Sequence, residues 1–139
     1  MTNINKKVIA DICEDLGFGF LDEVLKTLKT ELIPSELLEN TEIKEAAIRG
    51  IRQHLIDSRG EGNINTAIRI RDLFGIANKE VEEDAKWGIE NWMTDHGFEF
   101  GEKIRQAFGV EEQFMESKKI QEARSNFERL HSEHKRGMK

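Results

Sequence analysis

The sequence predicts an all-α protein, and three observations carry that expectation. Apolar residues recur at steps of three and four along most of the chain, the period of an amphipathic helix rather than of a strand. The chain holds one proline, Pro34, no tyrosine, and no run of alternating β-branched residues. Glu, Lys, Ala, Leu, Ile and Arg dominate, and these mostly tolerate helix well.

The elements follow in order. Residues 4–16 place Ile4, Val8, Ile9, Ile12, Cys13 and Leu16 on one stripe. Gly17 and Gly19 then interrupt the helix and permit positive φ. Residues 20–33 resume with Phe20, Leu21, Val24, Leu25, Leu28 and Leu32, and Pro34 ends the run. A second hairpin spans about 41–75, its first stripe being Ile43, Ala46, Ala47, Gly50, Ile51, His54 and Leu55. Gly60 and Gly62 mark its turn, Asn65 is the expected N-cap of a helix over 66–74, and Gly75 stops it. A third hairpin spans about 78–109, with Asn78 as cap, Glu80, Glu82 and Glu83 in the first turn, and Gly97 and Gly109 as helix stops. A terminal helix over about 111–135 carries the narrow seam Ile120, Ala123, Phe127, Leu130 and His134, ahead of a frayed tail at 136–139.

Residues 1–135 thus read as a single helical domain, which suits a chain of 139 residues. The expected architecture is a short stack of three helix-turn-helix hairpins plus a long C-terminal helix, α-solenoid-like or an orthogonal bundle. Each hairpin would be too small to bury its own apolar side alone.

Internal similarity supports the stack. Asp15-Leu16-Gly17-Phe18-Gly19-Phe20 lines up with Asp95-His96-Gly97-Phe98-Glu99-Phe100, and Asp57-Ser58-Arg59-Gly60 is a looser middle copy. Through each second helix Phe18, Ile64 and Phe98 correspond, then Leu21, Ala67 and Gly101, then Val24, Ile70 and Ile104, then Leu28, Phe74 and Phe108. Upstream, Ile43, Ala47, Gly50 and Ile51 match Val81, Ala85, Gly88 and Ile89. Gly50 and Gly88 sit inside predicted helices, where glycine costs about 1 kcal/mol relative to alanine. Close approach of a neighbouring helix is the expected compensation.

Over residues 41–110 the order of small and large positions resembles a tetratricopeptide-type helical hairpin, with Gly88 at its helix-A glycine and Gly101, Ile104 and Ala107 near its helix-B positions. Unit spacing drifts, no proline closes the second and third units, and the aromatic pair is displaced to Trp87 and Trp92. The resemblance implies a stacked αα-hairpin scaffold that binds a peptide or protein in a groove.

Composition narrows the function classes. The formal net charge is −6, divided between −10 over residues 1–117 and +4 over residues 118–139. An acidic chain does not favour polyphosphate partners, although local basic patches bind them. The lone cysteine, Cys13, lies on the first apolar stripe and reads as a small buried hydrophobe. With no early apolar run after a basic start and no stretch of membrane-spanning length, a cytoplasmic setting without membrane contact is expected.

Recognisable chemistry is missing. Gly17-Phe18-Gly19-Phe20 lacks the spacing and the Lys-Ser/Thr of a phosphate loop and reads as a turn. His131 and His134 are three apart, but no third ligand accompanies them, so no metal and no cofactor is expected. Asp15, Asp57 and Asp95 recur before each turn, which points to turn chemistry. No catalytic residue is assigned, and the chain is expected not to be an enzyme.

The remaining signal is cationic. Lys44, Arg49, Arg52, Arg59, Arg69 and Arg71 crowd the middle of an otherwise acidic chain. Arg69 and Arg71 cannot share one helix face, so only part of the set converges. Trp92 continues a core stripe, whereas Trp87 lies about 140° away and is the better interface anchor. Arg49, Arg52, Arg69, Arg71 and Trp87 are therefore the candidate partner-binding residues of a non-enzymatic protein–protein interaction module, an adaptor or an inhibitor. The alternatives are a nucleic-acid-associated protein using the arginines and the basic C-terminal helix, and a homodimer formed through residues 111–135.

Overall fold

A computed structural model describes residues 6–29, 33–56 and 60–137, with the side chains of 131–137 outside that description. The chain is all-α, and no strand occurs among the described residues. It divides into two compact units, Met1–Val81 and Glu82–Lys139. Ile4, Leu32, the Asp57-Ser58-Arg59 turn, the side chains of His131 and His134, and the last two tail residues lie outside the described residues.

The first unit is organised on its longest helix. Its helices are α1 (Lys6–Gly17), α2 (Leu21–Leu28), the single turn α3 (Ser35–Leu38), α4 (Thr41–Ile56) and α5 (Glu61–Phe74), followed by a 3-10 turn at Asn78–Val81. Both α1 and α5 pack on α4, with α3 and the 3-10 turn against it, while α2 pairs with α1. The α4 stripe is buried as its spacing predicts, with Ile43, Ala46, Ala47, Ile51 and Leu55 each inaccessible to solvent. Gly50 is the crossing point. A Cβ there would strike the backbone carbonyl of Leu16, so glycine lets α1 seat directly on α4.

Several boundaries differ from the periodicity, each for a local reason. Helix α2 stops at Leu28 instead of running to 33, because Lys29 turns into the left-handed region with φ 55°. Pro34 does more than end a run. Its carbonyl accepts the amides of Leu37 and Leu38 and so opens α3. Helix α5 begins at Glu61, five residues ahead of expectation, because Asn63 rather than Asn65 serves its first turn. The Asn63 Oδ1 accepts the Gly60 amide at 3.3 Å, and the Asn63 amide returns to the Gly60 carbonyl at 3.0 Å. The Asn78 side chain accepts from Arg71, and it is Glu80 Oε2 that takes the Ala77 amide at 3.0 Å.

In the second unit α6 (Glu82–His96) is the central helix, with α7 (Phe98–Phe108) and α8 (Lys118–Gly137) packed on it. Ala85, Gly88, Ile89, Trp92 and Met93 form its buried face. Gly101 meets Ile89 and Met93, and the Phe127 ring of α8 lies against Gly97, whose φ is 104°. The expected single helix over 111–135 is interrupted. A 3-10 segment at Glu112–Glu116 precedes Ser117, whose extended backbone (ψ 154°) starts α8 afresh.

Of the residues matched along the second helices, two sets share burial, while in the fourth set Leu28 is half-buried and Phe74 and Phe108 are buried. Leu21, Ala67 and Gly101 are all buried, as are Val24, Ile70 and Ile104. Phe18 and Phe98 are exposed, whereas their counterpart Ile64 is fully buried.

Candidate functional site

That mismatch points to the α1–α2 corner. Helix α1 ends in a Schellman arrangement: the Phe20 amide returns to the Asp15 carbonyl at 2.8 Å and the Gly19 amide to the Leu16 carbonyl at 2.9 Å. Gly19 occupies the left-handed position, φ 84°, and is itself buried. With Gly19 turned inward, the residues on either side are turned out. Phe18 is 59% and Phe20 55% exposed, and their rings stack with centroids 5.9 Å apart.

The corner is fastened from beneath by His54, in the last turn of α4. Its Nε2 donates to the Gly19 carbonyl at 2.7 Å, and its Nδ1 accepts from the Asn63 amide nitrogen at 3.0 Å. Because Asn63 also caps the start of α5, one chain of bonds ties the α1–α2 turn to both helices of the second hairpin. The two partners require the neutral Nε2–H tautomer of the ring.

Two of the sequence-nominated arginines arrive at this corner. The Arg49 guanidinium lies beside Gly17, with Nε 3.5 Å from where a Cβ on that glycine would stand. Arg69 reaches α2 and meets Asp22 at 3.6 Å, a loose pair with both side chains mostly in solvent. Beside Arg69 is an open groove of about 330 Å³ lined by Gly19, Phe20, Leu21, Asp22, Glu23, His54, Thr66 and Arg69, which Arg49 does not reach.

The other nominated residues do not join it. Arg71 turns the opposite way, bonding Asp72 at 2.9 Å and Asn78 at 3.1 Å, so its guanidinium serves the end of α5. Arg52 is exposed on α4. Trp87 belongs to the second unit, on α6, and is 49% exposed, while Trp92 is buried against His96 and Phe100. Arg59 lies outside the described residues.

Phe18 and Phe20 are the residues that sequence reasoning misplaced, whereas His54 lies on the α4 stripe near the helix end as expected and bonds Gly19 from there. Periodicity counts Phe20 into the helical stripe, and the repeat alignment counts Phe18 into the core. The Gly-Phe-Gly-Phe order already reads as a turn, and the signal left unused is that aromatic residues interleaved with helix-stopping glycines have no helix face to join.

The Cys13 thiol is half-buried, and burial followed by the Glu42 charge raises its pKa against the opposing effect of Arg49, so it stays protonated. Among the described residues no three His, Cys, Asp or Glu side chains are grouped to hold a metal ion, and no helix is long and apolar enough to cross a membrane. Comparison with known proteins finds no matching family model, no matching curated protein and no matching solved structure.

Proposed function

We propose that the chain is a non-enzymatic protein–protein interaction module whose first unit binds a partner through the α1–α2 corner. The observation that carries this reading is the stacked, exposed Phe18–Phe20 pair. Two large apolar rings each more than half exposed leave much of their area in water, whereas in an interface each would remove substantial apolar area from it. A backbone turn already fixed by its hydrogen bonds also lowers the ordering cost of association. Arg69 shares the groove with Phe20 and Arg49 lies beside Gly17, and aromatic residues with arginine are the composition of binding hot spots. The loose Asp22–Arg69 pair gives up little when a partner carboxylate replaces Asp22. The occupant is accordingly a partner segment presenting an apolar side chain next to a carboxylate.

Affinity capture with the full chain, comparing wild type with Phe18→Ser/Phe20→Ser, tests the reading. One partner retained by the wild type and lost by the variant is the expected result. A partner profile unchanged by the double substitution contradicts it.

A further inference from the structure

A second surface, on the other unit, is acidic. Helix α6 carries five carboxylates, Glu82, Glu83, Asp84, Glu90 and Asp95, against the single ammonium of Lys86, a net charge of −4 with histidine neutral. Trp87 stands on its exposed side, with Glu83 one turn before it and Glu90 one turn after it on neighbouring helix positions. Glu83 is 91% exposed, and its contact with Lys86 is long at 3.8 Å. The Lys86 ammonium lies closer to Glu82, at 3.3 Å, and 5.7 Å from the centre of the Phe114 ring.

We propose that this face of α6, centred on Trp87, docks an arginine- or lysine-bearing segment of a partner protein. The indole face attracts a cation through its quadrupole, guanidinium above all, and the carboxylates one turn away on each side complete the attraction. An exposed tryptophan supplies the apolar area that a purely acidic helix lacks, so binding does not rest on screened charge alone. This surface stands independently of the α1–α2 corner, because it lies on the second unit and calls for a basic occupant instead of an acidic one.

The test is fluorescence anisotropy with the full chain and a labelled twelve-residue peptide of alternating arginine and alanine, which has no aromatic residue. Saturable binding should weaken about three- to fivefold in Trp87→Ala, the loss of one exposed cation–π contact with charge unchanged. It should weaken about fivefold in Glu83→Gln/Glu90→Gln, and by less than twofold in the control Glu36→Gln/Glu39→Gln on the first unit. The proposal is overturned if Trp87→Ala binds as wild type does, if the control loses as much as the α6 pair, or if a glutamate-for-arginine peptide binds equally. Self-association in sedimentation that Trp87→Ala abolishes, without peptide binding, would assign the face to a second copy of the chain and overturn it as well.

Discussion

The imidazole of His54 donates to the carbonyl of Gly19 at 2.7 Å across 35 residues of sequence, adding a long-range tie to the backbone bonds of the turn that displays Phe18 and Phe20. Replacing His54 with alanine removes it and leaves the Asn63 amide without its ring partner. A loss of about 1–3 kcal/mol is expected in urea unfolding. Gly19→Ala should cost a similar amount, because φ 84° strains any side chain and the new Cβ would run into the His54 ring. If both variants unfold at the wild-type midpoint, the turn is not held from beneath.

Two glycines in neighbouring helices should respond in opposite directions. Gly62 lies in α5 with nothing within reach of an added Cβ, so Gly62→Ala should stabilise by about 0.5–1 kcal/mol through helix propensity. Gly50 is under the Leu16 carbonyl, and Gly50→Ala should destabilise by about 2 kcal/mol or more despite the same propensity gain. Thermal melts of the two variants give the sign directly. A stabilising Gly50→Ala would mean that α1 does not cross α4 there.

Ser117 precedes α8 where a capping serine would ordinarily help, yet its Oγ is buried without a hydrogen-bond partner. Ser117→Ala should therefore be neutral or stabilising by up to about 1 kcal/mol, since an unsatisfied buried hydroxyl is removed. Destabilisation by about 1 kcal/mol in chemical denaturation would show the hydroxyl capping the helix.

Acid sensitivity should be traceable to two carboxylates. Glu102 has its pKa lowered below 4.5, chiefly by the Arg105 guanidinium, which donates from Nε at 2.9 Å and from Nη2 to the second oxygen. Glu80 is lowered by Lys44, at 2.7 Å, and then by the Ala77 amide. A depressed folded-state pKa gives stability that is fully present above the unfolded value and is lost as pH falls through the folded one. The melting-temperature gap between wild type and Glu102→Gln, and between wild type and Glu80→Gln, should be largest near neutrality and close below the carboxylate range. A gap constant down to about pH 2 would contradict the pairing.

Helix periodicity carried the scaffold into view, because the buried face of α4 is a tertiary demand written into local spacing. Ile43, Ala47, Gly50 and Ile51 on α4, and Ala85, Gly88 and Ile89 on α6, are buried where the pattern places them. The stops at Gly75 and Gly109 were equally legible, since each adopts the left-handed geometry that glycine accepts most readily, φ 64° and 65°. The boundaries that shifted depend on side chains reaching the backbone: Asn63 displaced Asn65, and Glu80 rather than Asn78 took the Ala77 amide. The Phe18–Phe20 corner was hidden because hydrophobic pattern scores a phenylalanine as core wherever it falls. The inward turn of Gly19, set by the backbone bonds that end α1 and tied to His54 on a distant helix, goes with both rings facing outward.

The central claim is that the displayed rings touch a partner, and site-specific photo-crosslinking in cells measures it most directly. A photoreactive phenylalanine analogue at position 20 should yield one recurrent protein adduct, and the same analogue at Glu36 on α3 should not. Absence of any adduct from position 20, or an identical pattern from both positions, would contradict the account.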